Sequence, residues 1–230
     1  MTLVLAAHGT RSPEGERTMS ELTAAVRAAR PGHRVELGYL EISAPPLPEV
    51  LAAARGPVVV VPLLLSGGYH AHLDLPAVVA EHRPDALVGA PLGPHPLLTA
   101  ALTRHLTRAG LRASDAVVLG AAGSADPGGP ANVRSAARLL SARLSRPVTA
   151  AFVSTGTPGL EETVERLRSG PASRVALASY LLAPGFFQSR LSAAGADLVT
   201  PPLGAAPDVA ALVWHRHDQA LHSTATASRR

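Results

Sequence analysis

Short apolar runs rich in Val and Leu alternate along the chain with longer stretches of Ala, Arg, Leu and Glu that repeat with helical period. Runs without an in-out alternation suit strands buried on both faces. Helical segments between them suit parallel pairing, because a parallel crossover needs a connection of this length. The pattern predicts eight strands, at Thr2–Ala7, Arg34–Leu40, Val58–Leu65, Asp85–Ala90, Asp115–Ala121, Pro147–Val153, Arg174–Leu182 and Asp197–Thr200. Two helices carry clear end signals. Pro13–Ala29 has Ser12 as a cap and Pro13 at its first position, and Pro96–Ala109 stops at Gly110. The expected class is α/β, with the strands in two sets of four.

The second set repeats the first. Leu3-Val4-Leu5-Ala6-Ala7-His8-Gly9-Thr10 with Pro13 aligns, 114 positions on, with Val117-Val118-Leu119-Gly120-Ala121-Ala122-Gly123-Ser124 and Pro127. Tyr39-Leu40-Glu41 before Pro45 aligns at an offset of 113 with Phe152-Val153-Ser154 before Pro158. Leu64-Leu65-Ser66-Gly67-Gly68-Tyr69-His70 aligns at 117 with Leu181-Leu182-Ala183-Pro184-Gly185-Phe186-Phe187. Two similar domains are therefore expected, 1–112 and 113–222, with 223–230 as a flexible polar tail.

Composition removes several chemistries. The 230 residues contain no cysteine, which excludes disulfides, thiolate zinc sites and chain-held iron–sulfur clusters. All 21 basic residues are arginine, so Schiff-base catalysis and a phosphate-loop lysine are excluded too. The net charge of +4 comes from arginines spread along the chain without interleaved aromatics, so no nucleic-acid partner is expected. Arginine instead suits a small polyanion, since its guanidinium pairs with carboxylates at two points. No apolar run reaches the roughly 20 residues that span a bilayer, and Thr2–Ala7 is too short for a signal peptide. The expected location is cytoplasmic, without a membrane partner.

A duplicated chain separates scaffold from chemistry, because what both copies keep serves the fold. His8, Glu41 and His70 of the first half align with Ala122, Ser154 and Phe187 of the second, while the Gly, Pro and apolar positions around them persist. Each of the three follows a predicted strand, where open parallel sheets form their ligand crevice. Two imidazoles and a carboxylate can hold a divalent first-row metal with positions left open, and neutral imidazole also accepts protons near pH 7. The combination suits exchange of N–H protons for a metal ion. Blander roles stand beside this one: Glu41 as a cap for a helix after Pro45, His72 as a solvated loop residue, His95 as a turn former, and His215, His217 and His222 as surface residues. Gly120-Ala121-Ala122-Gly123 is no dinucleotide fingerprint, and no Gly-x-Ser-x-Gly elbow occurs. Ala7-His8-Gly9-Thr10 is compatible with a histidine phosphatase, but Ala7 stands where such enzymes usually place an arginine.

Ala7-His8-Gly9-Thr10-Arg11, Tyr39-Leu40-Glu41, the stretch from Pro62 to Pro76 with Gly68-Tyr69-His70 and Asp74 in it, and Pro91-Leu92-Gly93-Pro94-His95-Pro96 together resemble the sirohydrochlorin chelatases of the CbiX and SirB kind, in their long two-domain form. The resemblance implies two chelatase-like domains, each a small four-stranded parallel sheet flanked by helices, facing across a cleft. It implies a lyase that inserts Co²⁺ or Fe²⁺ into sirohydrochlorin for cobalamin or siroheme biosynthesis, with the divalent metal as substrate and no organic cofactor. On that basis His8 and His70 hold the metal and take up pyrrole protons, and Glu41 is the acidic helper. Arg11 meets the macrocycle's carboxylates, and Ser66, Gly67, Gly68 and Tyr69 line one wall. His72 is not required by the motif. The class that competes with this reading is a carrier that binds tetrapyrrole or metal without turnover, which would not need Glu41. The oligomeric state is left open, since two fused domains can form the cleft within a monomer.

Overall fold

The computed structural model of the chain describes residues 1–67, 74–170 and 174–227, the last four of these by backbone only. In chain order the elements are β1 (Thr2–Ala7), α1 (Pro13–Ala29), β2 (Arg34–Tyr39), α2 (Leu47–Ala53), β3 (Val58–Pro62), α3 (Leu75–His82), β4 (Leu87–Val88), α4 (Pro96–Arg108), β5 (Ala116–Ala121), α5 (Gly128–Leu144), β6 (Val148–Phe152), α6 (Leu160–Arg168), β7 (Val175–Ser179), α7 (Phe186–Ala193), β8 (Leu198–Val199) and α8 (Pro207–Ala227). All eight predicted strands form, most of them shorter than the apolar run that signalled them. The run after Pro62 leaves the sheet because Leu63, Leu64 and Leu65 belong to a loop.

The strands make two parallel four-stranded sheets, ordered β2-β1-β3-β4 and β6-β5-β7-β8. In the first, β1 lies in the middle with Ala7 in register with Tyr39, and all six of its residues are buried. Alternate residues serve opposite faces. Val4, Ala6, Val58 and Val60 pack with Leu47 and Leu51 of α2 and with Leu75 and Val79 of α3. Leu3, Leu5, Val59 and Val61 point the other way and are equally buried, which is why the strands read as unbroken apolar runs. The second sheet repeats the scheme, with Val118, Ala151, Val175 and Leu177 packed against Leu160 and Val164 of α6 and Leu191 of α7. Ser12 caps α1 through a 3.3 Å bond from the Gly15 amide, with Pro13 at the first position as expected.

The compact units do not follow the halves of the sequence repeat. One comprises Met1–Leu92 with Ala205–Arg230, the other Gly93–Gly204. Helix α8 packs on α1 and β3 in the first unit, and α4 packs on α5 and β7 in the second. The reason is visible in α8, whose Val209, Leu212, Val213 and Trp214 are buried, with the Trp214 indole N–H donating to the Val26 carbonyl at 3.0 Å. Sequence division at 112/113 therefore marks where the repeat begins again rather than where a compact body ends. The backbone of α8 runs past Ser223 to Ala227. His217, expected at the surface, is 1% exposed. No helix among the described residues is long and apolar enough to cross a membrane.

Candidate functional site

At the C-terminal end of the first sheet the β1–β2 pairing runs on for one step beyond the strands. The Leu40 amide donates to the Ala7 carbonyl at 2.8 Å, and the Glu41 amide donates to the His8 carbonyl at 3.0 Å. These two bonds place His8 and Glu41 side by side on neighbouring loops. His8 is half-buried and Glu41 exposed, so the pair sits where the packed sheet gives way to solvent. The two loops touch through Gly9, at φ +105°, where a Cβ would overlap the Glu41 carbonyl oxygen. Only glycine permits both that backbone angle and that approach.

Beyond Glu41 the loop is fastened twice. The Ser43 amide donates to the Glu41 carbonyl at 2.7 Å, and the Ser43 hydroxyl both donates to the Thr10 carbonyl at 2.9 Å and accepts from the Thr10 amide at 3.0 Å. Glu41 caps no helix, since α2 begins after Pro46 without a side-chain cap. Beneath the pair, Tyr39 is buried at the end of β2, and burial pushes its phenol above the usual range with a further push from Glu16. Arg11 follows on the β1 loop and is exposed.

The third predicted contribution comes from the loop after β3. Its start lies next to β1, because the Leu63 amide donates to the Ala6 carbonyl at 2.8 Å, and Leu92 closes behind it with a 2.8 Å bond to the Leu64 carbonyl. Ser66 is half-buried and Gly67 buried. Gly68, Tyr69, His70 and His72 lie outside the described residues. Among the described residues no group of three or more His, Asp or Glu side chains is placed to hold a metal, and of the predicted donors His8 and Glu41 are neighbours through their backbone bond. His95 caps α4, its Nδ1 accepting from the Leu97 amide at 3.2 Å, in keeping with a turn-forming role.

The second unit keeps the scaffold and lacks the donors. The Ser154 amide donates to the Ala122 carbonyl at 2.9 Å, the exact counterpart of the bond between Glu41 and His8, and Gly123 approaches the Thr155 carbonyl as Gly9 approaches Glu41. The pairings of His8 with Ala122 and of Glu41 with Ser154 therefore hold in three dimensions. His70 lies outside the described residues, and its counterpart in the repeat, Phe187, is the second residue of α7. Ser43 and Thr10 are features that the sequence reading missed. Comparison of the halves carries the signal, since Gly156 stands at the position of Ser43.

The CbiX family model matches residues 2–109 and 116–220. The chain belongs to the CbiX family. A sirohydrochlorin cobaltochelatase of Methanococcus maripaludis is 30% identical over 87 residues, 36% of this chain, and the match spans only 60% of that relative. A second, from Methanococcoides burtonii, is 28% identical over 108 residues, 40% of this chain and 82% of the relative. The structure of SirB from Bacillus subtilis with Fe³⁺ shares the fold, with a TM-score of 0.83, 21% identity and 97% of each chain covered. The two-sheet architecture is thus that of the CbiX and SirB proteins.

Proposed function

We propose that this CbiX-family chain is a sirohydrochlorin chelatase, a cytoplasmic lyase that inserts Co²⁺ or Fe²⁺ into the macrocycle and serves cobalamin or siroheme biosynthesis. The observation that carries the reading is the bond from the Glu41 amide to the His8 carbonyl. It joins the backbones of a histidine and a glutamate at the crevice end of one sheet, while the other sheet repeats the bond with Ala122 and Ser154. Family membership and the two cobaltochelatase relatives supply the substrate class.

Insertion replaces two pyrrole N–H protons with one divalent ion, so the site must deliver the ion and receive two protons. His8 and His70 hold the incoming metal through neutral imidazole nitrogens, and once the metal has moved to the macrocycle one of the two imidazoles takes one of the protons. Glu41 accepts the other proton and passes it to water, which its exposure allows. Arg11 pairs with a peripheral carboxylate, and Ser66, Gly67, Gly68 and Tyr69 form the wall from the third loop. The test is the initial rate of metal insertion, followed by the absorbance of sirohydrochlorin with Co²⁺ or Fe²⁺. Catalysis well above the spontaneous rate supports the chelatase. Binding of the tetrapyrrole without any gain over the spontaneous rate makes the protein a carrier.

A further inference from the structure

Ile42, directly after Glu41, has φ +67°. A β-branched residue in that region is a true outlier, because its side chain crowds the backbone there. The bond from the Ser43 amide to the Glu41 carbonyl spans two residues and makes Ile42 the centre of a γ-turn, in the rarer, strained form that needs positive φ. Among the described residues Ser145 is the other non-glycine with positive φ, and it has an ordinary cause as the left-handed cap of α5. Ile42 ends no helix.

The fold does not require this turn. In the second half the same sheet and the same crossing of loops are made with Thr155 in place of Ile42. There the Ser124 amide donates straight to the Thr155 carbonyl at 2.9 Å, and φ at Thr155 is not positive. The first half instead inserts the γ-turn and ties it down with Ser43 and Thr10. Packing gains nothing from the arrangement, since Ile42 is 55% exposed. An aliphatic side chain is thus held in a strained backbone, out in water, beside the two donors of the candidate site. Strain of this kind persists where function keeps it. A single exposed aliphatic residue is not a protein-docking patch. It is the right size for contact with part of a flat apolar ligand.

We propose that Ile42 is a substrate-contacting residue, presented by the γ-turn as an apolar contact for the conjugated face of the macrocycle next to Glu41. This rests on the tetrapyrrole reading given above. Three proteins test it: wild type, Ile42→Gly and Ile42→Val. Each is measured for sirohydrochlorin Kd without metal, for kcat and KM of Co²⁺ insertion, and for thermal midpoint. Ile42→Gly removes the side chain while accepting the backbone angle, so its midpoint stays at or above that of the wild type. Its Kd and KM rise about tenfold with kcat retained, the size expected from losing part of an aliphatic side chain's burial. Ile42→Val stays within about threefold of wild type, having lost a single methylene. An unchanged Kd in Ile42→Gly overturns the proposal. So does a fall in kcat at unchanged Kd, which makes Ile42 a residue acting through Glu41, and so does an Ile42→Val as weak as Ile42→Gly. A wild type that binds no tetrapyrrole overturns the functional reading as well, which separates the two failures.

Discussion

Gly9 is where the geometry of the site is most sensitive to one added carbon. A methyl group there meets the Glu41 carbonyl, and φ +105° is unfavourable for any L side chain. Gly9→Ala is expected to cost about 2–4 kcal/mol of stability and to push the His8 and Glu41 loops apart. Gly123→Ala meets the Thr155 carbonyl in the second half and costs a similar amount, yet leaves metal insertion per folded molecule unchanged. Thermal melts and initial rates on both variants check the pair, and equal losses of activity contradict it. At this scale the sequence was informative about side chains and poor about backbone. His8 and Glu41 were legible because the repeat offers Ala122 and Ser154 for comparison. The turn at Ile42 was not legible, since no side-chain pattern encodes a positive φ at isoleucine.

Helix α8 meets α1 through a half-buried polar cluster. The Arg30 guanidinium lies 4.5 Å over the Trp214 ring and makes a two-point pair with Asp218 at 2.8 and 2.6 Å, and Asp218 also meets His217 Nδ1 at 2.9 Å. Arg30 holds the Asp218 carboxyl well below the usual carboxylate range. His217 is pushed the other way from most paired histidines. Burial lowers it and outweighs the upward pull of Asp218, while Arg30 and His33 add small downward pushes. A histidine held below its unfolded value near 6.5 binds fewer protons folded than unfolded. The stability it contributes is therefore full above about pH 6.5 and is lost as pH falls from there through the folded value. His105, lowered mainly by burial, adds to the same slope. Replacing His217 with Gln is expected to flatten the fall of thermal midpoint below pH 6.5 without removing it, and an unchanged slope contradicts this account. The sequence hid the cluster because a histidine in a helix rich in polar residues reads as solvated, and its burial depends on which helix packs opposite.

The whole molecule contains the sequence repeat and a different spatial division. Residues 93–204 form one contiguous unit, while the first unit needs α8 from the far end of the chain. Residues 93–204 expressed alone are expected to melt cooperatively. Residues 1–112 alone lack the helix that covers α1 and β3, and are expected to bind a hydrophobic dye and melt without a clear transition. A cooperative melt for 1–112 contradicts the division. Fold class, strand count and duplication were legible because apolar runs and repeats are local signals. The partner of each terminal helix was not, because α4 and α8 present similar apolar faces to whichever sheet receives them. The central claim is that one half of a duplicated scaffold carries the chemistry. Its most direct test is the initial rate of Co²⁺ insertion into sirohydrochlorin by wild type, His8→Ala, Glu41→Gln and Ser154→Ala. The account predicts loss of catalysis in His8→Ala, a fall of about 10²-fold in Glu41→Gln, and a wild-type rate in Ser154→Ala. A His8→Ala protein that still inserts metal at the wild-type rate contradicts it.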